Sequence, residues 1–126
     1  MDLKAIHHAA IIVSDYRLSR EFYVEKLELP VLGEHFRPER DDWKLDLAVG
    51  DGQLEIFSAP DAPMRPDRPE ARGLRHLAFR VESVEKAVEW LSGRGIQCEP
   101  IRMDPYANCA MTFFHDPDGL PLELHE

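Results

Sequence analysis

The chain has 126 residues, 44% of them hydrophobic and 31% charged, which suits one globular domain or two very small halves folded together. Its formal net charge of −9 sets it against nucleic-acid phosphate and anionic lipid, so neither is expected as a partner. The longest apolar run, residues 9–13, is far below the roughly 20 residues a membrane-spanning helix needs, and the first residues carry neither the apolar stretch of a secretory leader nor a lipidation motif. Cys98 and Cys109 form no CxxC pair; they are expected as free thiols of a cytoplasmic protein.

Residues 5–13 are apolar and β-branched, and read as a strand. Ser14 or Asp15 offers a helix N-cap, and Leu18, Phe22, Leu27 and Leu29 supply the apolar positions of an amphipathic helix that Pro30 ends. Residues 31–36 read as a second strand. In residues 43–49 Trp43, Leu45, Leu47 and Val49 alternate with polar neighbours, Asp51-Gly52 marks a hairpin turn, and residues 54–58 form the next strand. The first 58 residues therefore read β-α-β-β-β. Residues 59–72 hold Pro60, Pro63, Pro66 and Pro69, which disfavour helix and central strand alike and mark a linker or surface loop.

The pattern then starts again. Residues 74–81 read as a strand, Ser83 caps a helix through Val84, Ala87, Val88 and Leu91, and Gly93 and Gly95 stop it. Residues 96–103 and 111–114 read as strands, Asp116-Pro117-Asp118-Gly119 as a turn, and residues 120–124 as a final strand. The second module, 73–126, is thus also β-α-β-β-β. An offset of 68 residues lays His76 on His8, Val81 on Val13 and Leu122-Glu123-Leu124 on Leu54-Glu55-Ile56, the signature of an internal repeat.

Taken singly, a His in an apolar strand is an ordinary hydrogen-bonded core residue, and a Glu between Leu and Ile is the wet face of an antiparallel sheet. Two His and two Glu repeated in one frame are a different matter. If the modules pair about a pseudo-twofold axis, two imidazole nitrogens and two carboxylates converge. That donor set suits Zn, Ni, Co, Mn or Fe in the divalent state better than Mg or Ca, and the ion offsets the cost of burying the carboxylates.

The sequence resembles the vicinal-oxygen-chelate superfamily, in its glyoxalase I-like branch that includes small bacterial glyoxalase and bleomycin-resistance-like proteins. The likeness is carried by His8 with Val13 and Asp15, by Leu54-Glu55-Ile56, by Gly73-Leu74-Arg75-His76-Leu77-Ala78-Phe79, and most specifically by the DPDG turn with Leu120-Pro121-Leu122-Glu123. It implies an α+β fold of two tandem βαβββ modules forming a cupped mixed sheet around a metal, with His8, Glu55, His76 and Glu123 as ligands. It also implies a lyase or isomerase that acts on a small oxygen-chelating substrate through a metal-stabilised enediolate. By the same resemblance Glu123, or else Glu55, moves the proton.

Ile12 and Ala59 stand where the bacterial glutathione-dependent enzyme carries an arginine and an asparagine that anchor its thiol tripeptide, which weighs against the glutathione hemithioacetal as substrate and leaves the metal site intact. Arg40 and Lys44, with Arg37 and Trp43 nearby, are candidates to hold a substrate carboxylate or phosphate, with a solvated loop as the alternative. Tyr106 is a candidate for a cavity mouth. His7 is expected on the face opposite His8, and His125 on the face of Glu123. Competing readings are a thiol transferase or epoxide-opening enzyme, a dioxygenase, an epimerase, a metal-free drug-sequestering module, and a purely structural metal site. A homodimer is expected, with modules paired within one chain or exchanged between two.

Overall fold

The computed structural model describes residues 1–126. The chain divides into two compact units, Met1–Pro63 and Met64–Glu126, and each builds the expected βαβββ module. No helix is long and apolar enough to cross a membrane.

In the first unit the strands are β1 (His8–Val13), β2 (Val31–Arg37), β3 (Asp42–Val49) and β4 (Gly52–Ser58), in sheet order β1-β4-β3-β2. β1 runs parallel to β4 and the other pairs are antiparallel. Helix α1 (Tyr16–Arg20) starts at Asp15, whose carboxylate accepts the Leu18 N–H at 2.9 Å. It continues as a π-helical segment, Glu21–Lys26. The helical stretch thus stops short of Leu29, where Glu28 turns to φ 57°. It buries Ser19, Phe22 and Tyr23 rather than Leu18, which is 45% exposed. Beneath it, one face of the sheet contributes Ile11, Val13, Leu45, Leu47, Leu54 and Ile56 to the core, the alternation expected of a half-wet sheet.

In the second unit the strands are β5 (Leu77–Arg80), β6 (Arg102–Asp104), β7 (Cys109–His115) and β8 (Pro121–His125), in order β5-β8-β7-β6. β5 and β8 are parallel, the others antiparallel. Helix α2 (Val84–Ser92) is capped by Ser83, whose hydroxyl accepts from Lys86 N–H. It ends where Gly95 adopts φ 74° and the Ile96 N–H returns to the Leu91 carbonyl. Val84, Leu91, Ile96, Phe114, Leu122 and Leu124 form this core.

The repeat shows in the register. Ala10 faces Glu55 across β1 and β4, and Ala78 faces Glu123 across β5 and β8, which is the same 68-residue offset on both strands.

Two strand expectations need correction. β1 and β5 begin at His8 and Leu77, so His76 stands just before its strand. The strand expected over 96–103 is only Arg102–Asp104. Pro100 cannot donate to a ladder, and upstream of it the attachment to β7 is Glu99, whose N–H reaches the Phe113 carbonyl and whose carbonyl takes the Thr112 hydroxyl.

Candidate metal half-sites

Strand alternation decides which side chains face away from each helix-packed core. In the first unit that face carries His8, Glu55 and Lys44, with Asp46 directly opposite Glu55 in the ladder. His8 Nε2 lies 3.7 Å from Glu55 Oε2. On the other side of the ring, His8 Nδ1 is 2.9 Å from His7 Nδ1, and the two rings meet edge to face. His7 therefore contacts His8 directly, one residue ahead of the strand, and the strand-alternation expectation for it does not apply.

Lys44 Nζ is 2.5 Å from Asp46 Oδ1 and 3.5 Å from Glu55 Oε1. The hydrogen bond to Asp46, with Glu55 adding to it, pushes the Lys44 pKa up, so this cation is fixed beside the pair. Arg40 is different. It stands exposed on the β2–β3 turn and makes no side-chain contact with His8 or Glu55. Arg37 is held bidentately by Asp42, at 2.7 and 2.5 Å.

In the second unit His76 Nε2 and Glu123 Oε2 are 2.8 Å apart, and the Glu123 side chain is 9% exposed. A carboxylate this buried needs a partner, and the imidazole supplies it. Phe113, opposite Glu123 in the ladder, sets its ring edge to face against His76 at 5.2 Å. The pair opens into a cavity of about 1230 Å³, into which Met111, Phe113 and His115 also project. Tyr106, 97% exposed on the β6–β7 turn, lines the same cavity. His125 does share the strand face of Glu123, but its partners are Asp104 at 3.3 Å, Cys109 Sγ at 3.5 Å and the Glu126 carbonyl at 2.8 Å. The carbonyl first and Asp104 second push its pKa up.

Each unit thus supplies one imidazole nitrogen and one carboxylate oxygen, and no group of three or more His, Cys, Asp or Glu is gathered as a metal cage. Around a divalent transition ion with bonds near 2.1 Å, neighbouring donor atoms sit about 3.0 Å apart at right angles and about 3.4 Å apart at the tetrahedral angle. The separations of 2.8 and 3.7 Å bracket that range, and in both pairs Nε2 is the atom presented. The two half-sites fit such an ion in donor chemistry, and their donor separations lie within about 0.3 Å of the range on either side. Lys44, His7 and Asp46 form the surroundings of the first. Of these, Asp46 was hidden in the sequence, since only the β3–β4 register brings it opposite Glu55.

Comparisons with known proteins agree with the architecture. The model of the glyoxalase/bleomycin resistance protein/dioxygenase superfamily matches residues 5–124. Uncharacterized protein YwkD of Bacillus subtilis (strain 168) is 57% identical over 127 residues, covering 100% of this chain and 99% of its own length. Uncharacterized protein YaeR of Escherichia coli (strain K12) is 51% identical over 127 residues, covering 100% and 98%. The crystal structure of a glyoxalase family protein from Enterococcus faecalis is 55% identical, covers 100% of both chains and superposes with a TM-score of 0.94. More distant matches include an epimerase and a metallothiol transferase.

Proposed function

The chain belongs to the glyoxalase/bleomycin resistance protein/dioxygenase superfamily, and from that premise we propose that it is a divalent-metal-dependent lyase or isomerase of the glyoxalase I type. The superfamily includes glyoxalases, an epimerase and a metallothiol transferase, so the finer assignment rests on the residues. In this reading His8, Glu55, His76 and Glu123 hold one transition ion, within one chain or between two chains of a homodimer. The observation that carries it is the doubled His–Glu contact, made on two parallel strand pairs whose registers repeat 68 residues apart at Glu55 and Glu123.

The ion, when bound, would polarise adjacent substrate oxygens and lower the cost of charge developing on them. The protein's residues divide the remaining work. Glu55 is engaged by the Lys44 ammonium, which favours it as a steady ligand. Glu123 makes no ion pair with a lysine or arginine and faces the cavity with His76, which favours it as the base that shuttles a proton between neighbouring carbons. His7 and Phe113 orient the two imidazoles from outside.

The test is a screen of α-oxo aldehyde–thiol adducts and small α-hydroxy carbonyl compounds with the metal-loaded protein, following solvent deuterium into the product. The reading expects isotope incorporation by the wild type and a loss of roughly 100-fold or more in Glu123→Gln. A metal-free protein that binds these compounds without turning them over would favour a sequestering module instead.

A further inference from the structure

The cavity at His76 and Glu123 is walled by the proline-rich segment as well as by the sheet. Arg65, Arg68 and Arg72 from that segment, with Arg75 just after it and Arg102 from β6, line it. In a chain of net charge −9 with fifteen lysines and arginines, a third of the basic residues surround one cavity.

Most of the acids on the same wall are already spoken for. Glu70 binds Arg75 at 2.7 Å and Glu99 binds Arg102 at 2.8 Å. Asp104 accepts the Tyr106 and Ala107 N–H groups and contacts His125. Arg65, Arg68 and Arg72 make no ion pair, and the acids left on the wall are Asp67 and Glu123, the latter held against His76. Arg65 spends one bond on the Arg75 carbonyl at 3.3 Å, while its Nε is buried without an acceptor. A buried guanidinium nitrogen without a partner is costly, and an oxyanion is the acceptor whose geometry suits it. Pro63, Pro66 and Pro69 stiffen the segment that carries these side chains, so less freedom is lost on binding.

We propose that Arg65, Arg68 and Arg72 form an oxyanion subsite beside the His76–Glu123 pair, which takes the carboxylate or phosphate group of a small substrate. This rests on the reading of that pair as half of the substrate-binding metal site. The substrate is then a small anion whose chelating oxygens lie at one end and whose charged group lies on the proline-rich segment.

The test titrates inorganic phosphate and, separately, malonate into the metal-free protein, following the backbone amide resonances of residues 65–75, which wild type and both variants share. Metal content is measured in parallel. Saturable binding is expected, weakened roughly tenfold in Arg65→Gln and in the surface double variant Arg68→Gln/Arg72→Gln, with melting temperatures unchanged in the latter. Tighter phosphate binding assigns a phosphate monoester, and tighter malonate binding a carboxylate. No saturable shift, or equal binding by wild type and both variants, overturns the subsite. Phosphate binding by a chain that takes up no metal would sustain the subsite and remove the lyase reading. Metal uptake without anion binding would overturn the subsite alone.

Discussion

Glu55 and Glu123 hold equivalent ladder positions in different electrostatic surroundings. Glu55 has Lys44 3.5 Å away and Asp46 opposite; Glu123 has only an imidazole among its ion-pair partners. The ammonium steadies the carboxylates when no ion is bound and repels an incoming cation. Lys44→Met should therefore lower the melting temperature of the metal-free chain and tighten metal binding roughly tenfold, as one charge a few ångströms away in a wet site allows. Chelator competition reads the second effect, and weaker binding would refute the arrangement. Elsewhere, Tyr16 O–H and Arg20 Nε both donate to Glu34, the latter at 2.7 Å. They hold its carboxyl below the ordinary value of 4.5, the tyrosine bond first and the arginine bond second. A lowered folded-state pKa means stability that is present above the unfolded value and lost as pH falls through the folded one. The melting-temperature gap between wild type and Glu34→Gln should be open at pH 7 and close progressively below about pH 4.5.

At the scale of elements, the DPDG turn aims β8 and hence Glu123. Asp116 is 5% exposed, and its Oδ1 accepts the Asp118 and Leu120 N–H groups at 2.9 and 2.8 Å. Asp116→Ala strands those donors and should cost about 2 kcal/mol in urea unfolding, whereas Asp15→Ala, which removes the exposed cap of α1, should cost about 1 kcal/mol. The turn and both caps are legible in the sequence because they depend on contacts two to four residues apart. So are the strands that alternate, such as β3 and β4. What alternation and propensity do not show is where a strand stops finding a neighbour. Residues 5–7 are apolar enough for a strand, yet all are exposed and the ladder begins at His8. The same holds for Leu74, 52% exposed ahead of β5. Leu18 fits the helical period, but the core takes Ser19, Phe22 and Tyr23, because the helix passes into a π-helical turn that shifts the buried stripe. In the candidate site, His8, Glu55, His76 and Glu123 are legible as a repeat. Asp46 and the guanidinium cluster on the cavity wall depend on strand register and loop path, and the sequence displays neither.

For the whole molecule, each unit offers half of a ligand set, so the reading requires both halves for one ion. A ligand that binds only the folded state at a hundred times its Kd adds about 2.7 kcal/mol of stability. Chelation should therefore lower the melting temperature of the wild type and leave that of the Glu55→Gln/Glu123→Gln variant unmoved. Sedimentation of the metal-loaded chain should give a dimer. The most direct test of the central claim is the metal content of protein purified without a histidine tag, measured by mass spectrometry for wild type, His8→Ala and His76→Ala. We predict about one transition ion per chain in the wild type, removed by mild chelation and absent from both variants, since neither half-site alone completes the set. A wild type that neither retains nor takes up Ni, Zn, Co, Mn or Fe, or variants that keep their full complement, would contradict it.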